Sequence, residues 1–198
     1  MENLFNQCRR LLRATSLDYV RPIIKQVHWN QRLISIRGAR GVGKTTLLLQ
    51  YIKQTYGDNP TEAIYVSLDN LYFSRHTFID FVEDFYKMGG KCIFADEVHK
   101  YHGWSQELKN AYDAFPDMRF VITGSSVLNI LNSDADLSRR CINYNMQGLS
   151  FREYLALCEG LKFDQTDLPS LLEEPGKLCM GVNEKCRPLA HFDRYLKT

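Results

Sequence analysis

Residues 38–45 read Gly-Ala-Arg-Gly-Val-Gly-Lys-Thr, the pattern G-x-x-x-x-G-K-[ST]. Residues of these types at this spacing hold a chain of phosphates. Glycines let successive backbone N–H groups turn inward around phosphate oxygens. A helix that begins where the loop ends aims its positive N-terminus at the same oxygens. The cradle would be formed by Gly38, Ala39, Arg40, Gly41, Val42, Gly43, Lys44, Thr45 and Thr46. Lys44 would neutralise the outer phosphates, and the Thr45 hydroxyl would ligate Mg²⁺. The flanks suit this reading. The apolar run Leu33-Ile34-Ser35-Ile36 precedes the loop, and a helix-like run from Thr45 to Tyr56 follows it.

A second set of chemical groups lies downstream. Ile93-Phe94-Ala95-Asp96-Glu97 has the form of an apolar strand that delivers acids at its end, a Walker B shape. Asp96 would hold Mg²⁺ through water, and Glu97 would orient and polarise an attacking water. Thr123-Gly124-Ser125-Ser126 ends a later strand, where Thr123 or Ser125 could sense the γ-phosphate, and a serine there could equally cap the next helix. An arginine of the pair Arg139-Arg140 could serve the γ-phosphate of a neighbouring copy, which would require self-assembly; a solvated basic pair is the commoner role of such a dipeptide. Arg37 and Arg40 flank the loop and are expected to face solvent. His99 and His102 lack a third ligand at suitable spacing, so no zinc site is expected. No N-K-x-D guanine signature occurs, which favours ATP over GTP. The stretch Val27 to Trp29 is a candidate for the adenine pocket.

The elements that must position these groups follow from periodicity. Leu4, Phe5, Cys8, Leu11 and Leu12 predict a first helix, with a second helical piece from about Leu17. Strands are predicted at Leu33–Ile36, Ala63–Leu68, Cys92–Ala95, Arg119–Thr123 and within Arg140–Met146. Between them, Phe78, Phe81, Val82 and Phe85 mark an amphipathic helix capped by Ser74 or Thr77, and Ser105 opens another that runs to about Ala114. Ser150-Phe151-Arg152-Glu153 is a capping box for a helix that stops at Gly160. Alternation of strands and helices predicts an α/β fold, a parallel sheet covered on both faces, with ligands at the carboxyl ends of the strands. From Asp164 the pattern weakens, with Pro169, Pro175 and Gly176 as interruptions before a last apolar stripe at Leu189, Phe192, Tyr195 and Leu196. The expected division is an ATPase domain over 1–160 and a tail over 161–198, the tail reading as the start of a truncated further domain.

Bulk composition narrows the partners. The 198 residues are 44% hydrophobic, enough for one α/β domain. Lys plus Arg is 25 and Asp plus Glu is 23, a balance that gives no support to broad nucleic-acid or membrane-surface binding. Neither a long apolar run nor a secretory leader is evident, and the six scattered cysteines form no C-x-x-C pair, so a soluble cytoplasmic protein with reduced thiols is expected.

Four pieces together resemble a prokaryotic group of AAA+-type ATPases in which the ATPase domain is followed by a C-terminal domain of unknown function. They are Ile36 to Thr46, Phe94 to Lys100, Val121 to Ser126 and Leu149 to Leu155. The resemblance implies a three-layer P-loop NTPase with a five-stranded parallel sheet. It places the magnesium, base and sensor roles on Thr45 and Asp96, on Glu97, and on Thr123 or Ser125. It places the group's arginine on Arg140, although Leu137-Ser138-Arg139-Arg140 has Arg139 where the group has glycine. It also likens Arg187 to Thr198 to the opening of the group's second domain. Mg²⁺-dependent ATP hydrolysis coupled to a conformational output is the leading expectation. Asp96-Glu97-Val98-His99 also fits the D-E-x-H box of a nucleic-acid-dependent, helicase-like motor, and a small-molecule kinase or a nucleotide-switched binding module are further alternatives.

Overall fold

The computed structural model describes residues 1–58, 60–124, 137 and 139–197. It divides into two compact units, Met1–Gly148 and Leu149–Thr198.

The first unit is built on five parallel strands, β1 (Leu33–Arg37), β2 (Ala63–Ser67), β3 (Cys92–Asp96), β4 (Arg119–Gly124) and β5 (Ile142–Asn145), in the order β2-β3-β4-β1-β5. Successive residues of a strand face opposite sides. In β1 to β4 nearly every residue is buried, so both faces of the sheet are covered. This is the expected three-layer α/β arrangement. β5 is one of the two edges and alternates between half-buried and exposed residues. The register sets Arg37 beside Gly124, and Ser67 beside Asp96. Because β4 lies between β1 and β3, its carboxyl end stands between the loop that leaves β1 and the acids that end β3.

Helix α1 (Glu2–Ala14) buries Leu4, Cys8 and Leu12, one face at four-residue spacing, and packs on α2 (Lys44–Tyr56) and β2. α2 ends at Gly57, whose φ of 77° suits glycine and whose N–H returns to the Lys53 carbonyl. α3 (Phe78–Lys87) buries Phe78, Phe81, Val82 and Phe85 and packs on α4 (Trp104–Ala114). Thr77 is its cap, accepting from the Asp80 N–H, whereas Ser74 closes a separate 3-10 turn. The helical piece expected from Leu17 is only one 3-10 turn, Pro22–Lys25. Pro22 drives the preceding Arg21 into extended backbone (φ −65°, ψ 139°), which ends any helix arriving from the N-terminal side.

The second unit begins earlier than the expected boundary after residue 160. The reason is aromatic packing. α5 (Phe151–Cys158) sets Phe151 edge-on to Phe192 and beside Tyr195, and Tyr154 beside Tyr195, so this helix groups with the carboxyl-terminal residues. Its capping box is formed. The Glu153 N–H donates to Ser150 Oγ at 3.3 Å, and the Ser150 N–H donates to Glu153 Oε2 at 2.8 Å. α6 (Leu168–Glu173), α7 (Pro175–Lys185) and α8 (Pro188–Tyr195) follow. Pro169 and Pro175, expected as interruptions, are helix starts, since each lies in a first turn whose N–H groups have no intrahelical acceptor.

Candidate functional site

The loop after β1 is shaped by three glycines with different physical demands. Gly41 (φ 85°) and Gly43 (φ 93°) are left-handed, a region that costs other residues. Gly38 meets a different limit, because a Cβ there would stand 2.2 Å from the Met146 carbonyl oxygen. The loop ends at Lys44, the first residue of α2. Lys44 is buried, and its ammonium donates to the Gly38 and Ala39 carbonyls, both at 2.9 Å. Among the described residues no carboxylate pairs with it. Ala39, Arg40, Gly41 and Thr46 are exposed, and Val42 and Thr45 are half-buried.

Asp96 stands opposite this loop at the end of β3, only 2% exposed. Its Oδ2 accepts from Thr45 Oγ1 at 2.5 Å and from the Tyr65 hydroxyl at 2.8 Å. Its Oδ1 accepts from Thr123 Oγ1 and from the Glu97 N–H. The Glu97 N–H also reaches Thr123 Oγ1, at 3.2 Å. Four donors on one buried carboxylate fix its orientation. Burial and the adjacent Asp96 carboxylate push the Tyr65 hydroxyl well above the ordinary tyrosine value, so Tyr65 remains a donor. Glu97 is left-handed at φ 52°, alone in this among the described non-glycine residues. Backbone held in such a region marks a site where surrounding structure over-determines it. The Glu97 side chain is half-buried, and its Oε2 lies 3.3 Å from His99 Nε2.

The structure thus brings Lys44, Thr45, Asp96, Glu97 and Thr123 together. Ser125 lies outside the described residues. Arg140 is not brought to this group. It precedes β5 at the end remote from the loop, pairs with Asp113 and lies 5.5 Å from the Tyr112 ring centroid. Arg37 is half-buried rather than solvent-facing, with Nε and one terminal nitrogen enclosed and without a hydrogen-bond partner among the described residues, while Arg40 is exposed as expected. In the stretch named for the base, Val27 is buried and Trp29 stacks on Tyr51 at 3.7 Å between centroids, its indole N–H donating to the Ile24 carbonyl. Tyr65 and the Glu97–His99 contact escaped the sequence reading. A tyrosine two residues before the end of an apolar, largely buried strand was the available signal, since a buried phenol seeks a partner.

A family model described as an AAA domain matches residues 30–155. The chain belongs to this AAA family, a family of P-loop ATPases. A curated relative, the uncharacterized protein MJ1637 of Methanocaldococcus jannaschii, is 32% identical over 152 residues. The match covers 73% of this chain and 31% of the relative, so the chain spans about a third of that protein's length. Among solved structures, the S. cerevisiae Hsp104–ADP complex matches with a TM-score of 0.50 and 20% identity over 80% of this chain and 26% of that one, a likeness of fold. AMPPCP-bound DnaA from Aquifex aeolicus matches with a TM-score of 0.48 and 18% identity, covering 77% of this chain and 53% of that one. At the level of the family, then, this is a nucleotide-binding domain of the ATPase type. No helix among the described residues is long and apolar enough to cross a membrane.

Proposed function

We propose that this AAA domain binds Mg²⁺–ATP in the loop 38–46 and hydrolyses it, and that turnover drives a conformational output. The observation that carries the reading is Lys44, a buried ammonium whose partners are two carbonyls of its own loop. A buried cation without a counter-charge is costly, and an anion at the adjacent amides would relieve that cost. The oxygen-only set of Thr45 hydroxyl and Asp96 carboxylate, already converging, suits the hard ion Mg²⁺. With Thr45 as direct ligand and Asp96 acting through water, the ion would screen the phosphate oxygens and favour departure of the γ-phosphoryl group.

The remaining roles follow from position. Lys44 leaves its carbonyls for the outer phosphates. Glu97 accepts a proton from the attacking water and orients it. His99 holds the Glu97 carboxylate before the nucleotide arrives. Thr123, joined to both Asp96 and the Glu97 amide, fixes the two acids relative to each other and is our choice for the residue that senses the γ-phosphate. Arg140 is assigned to a neighbouring copy's nucleotide, an assembly that would have to replace its Asp113 partner. Six free thiols support a reducing cytoplasmic setting. The test is Glu97→Gln. Phosphate release should fall about 100-fold or more while ATP affinity stays within about twofold. Equal turnover in the two proteins removes Glu97 from the mechanism.

A further inference from the structure

Arg21 lies outside every motif, yet its guanidinium reaches the centre of the phosphate loop. One terminal nitrogen donates to the Val42 carbonyl at 3.0 Å and to the Gln147 carbonyl at 3.0 Å. The other donates to the Gly148 carbonyl at 3.1 Å. Val42 stands between Gly41 and Gly43, the two left-handed residues of the loop. Glycine is permissive at both, so the glycines allow the loop's path but do not enforce it. Something else must hold the peptide planes between them.

The Val42–Gly43 peptide is trans and planar, so its carbonyl and its N–H point in opposite directions. A carbonyl drawn out to Arg21 therefore turns the Gly43 N–H to the other side of that plane. Among the described residues the Gly43 N–H has no protein acceptor. The anchor for this hold is firm. Met146 is buried, its N–H donates to the Arg37 carbonyl at 2.6 Å, and its own carbonyl leaves no room for a side chain at Gly38. Gln147 and Gly148 continue directly from it. Pro22 adds the last constraint by setting the Arg21 backbone extended.

We propose that Arg21 is a positioning residue for phosphate binding: it clamps the Val42 carbonyl against the segment that leaves β5 and so aims the Gly43 amide into the phosphate cradle. The proposal rests on the nucleotide reading above. Three acceptors served by two nitrogens need a rigid planar fork, which lysine lacks.

The test uses the full chain with Arg21→Met and Arg21→Lys, read by calorimetry with Mg²⁺–ATP, by steady-state kinetics and by amide resonances in two-dimensional NMR. Arg21→Met should raise Kd about 10- to 100-fold, the worth of one or two charge-assisted hydrogen bonds. KM should rise with kcat within about twofold, because the cradle holds ground state and transition state alike. Arg21→Lys should recover part of the affinity. In both variants the Gly43 amide should shift while amides of β2 and β3 stay in place, a pattern that general loosening would not give. If Arg21→Met fails to fold, Arg21→Lys alone decides through the Gly43 amide and KM. Unchanged Kd and an unmoved Gly43 amide overturn the proposal. Absence of binding in the wild-type chain overturns the nucleotide reading itself, a separate outcome.

Discussion

In the unit Met1–Gly148, four strands are enclosed on both faces and Phe78, Phe81, Phe85, Phe94 and Phe120 are all fully buried. In the unit Leu149–Thr198, helices α6, α7 and α8 have no buried residue, and Tyr154 and Leu155 of α5 are its buried side chains. Leu172 and Leu189 there are 72% and 83% exposed. The contrast concerns what each region can hold still. Positioning Lys44, Asp96 and Thr123 to within hydrogen-bond distance requires a packed scaffold on which each rotamer is fixed. Helices with few enclosed contacts open at low free-energy cost and exchange their amides early. The candidate site resides where the packing is.

The sharpest way to break this contrast is a large-to-small change in each unit. Phe120→Ala, near the start of β4, the strand between β1 and β3, should cost about 3–5 kcal/mol by denaturant unfolding. Leu172→Ala should change stability by no more than about 0.5 kcal/mol. Comparable losses at the two positions would mean that the second unit has a core of its own.

Thiol chemistry sharpens the same contrast. Burial pushes the Cys92 thiol from 9.0 up to about 12, while Cys158 and Cys179 are exposed. At about pH 8, Cys158 and Cys179 should react with a disulfide reagent promptly and Cys92 only on unfolding. The stability consequence has a definite sign. Below the unfolded value of 9.0 the thiol is neutral in both states, and between 9.0 and about 12 only the unfolded chain ionises. Folding stability should therefore fall as pH rises through that window. A flat alkaline stability curve would contradict the burial of Cys92.

A smaller effect is expected inside the site. Tyr65→Phe removes one of the four donors on Asp96 without changing the shape of the strand, and should cost about 1–2 kcal/mol of stability. An unaltered protein would show that Thr45, Thr123 and the Glu97 amide suffice to hold the carboxylate.

Much of this arrangement was legible in the chain itself. The loop Gly38–Thr45 and the acids Asp96 and Glu97 stand out as a candidate site by residue type, because few other roles call for glycines, lysine and hydroxyl at that spacing, and the fold sets them side by side. The strands of the buried sheet were readable as apolar runs bounded by turns. The clamps were not. Arg21 and its acceptor Gln147 are 126 residues apart, and a carbonyl acceptor leaves no trace in residue identity. The Tyr65 contact depends on the β2–β3 register, which sets Ser67 against Asp96, and register is fixed only in three dimensions. Pro169 and Pro175 look like interruptions in the sequence, yet each occupies a first helical turn whose N–H groups lack intrahelical acceptors, so both are starts. The early edge of the second unit was hidden because its cause is the meeting of Phe151 with Phe192, 41 positions further on.

The central claim is that the buried Lys44 ammonium exists to meet a phosphate chain. Calorimetric titration of Mg²⁺–ATP into the wild-type chain and into Lys44→Ala, with circular dichroism to confirm that both are folded, tests it most directly. Saturable heat in the wild type, with affinity lost by about 100-fold or more in the variant, is the expected result. Equal affinity in the two folded proteins, or no heat in either, would contradict it.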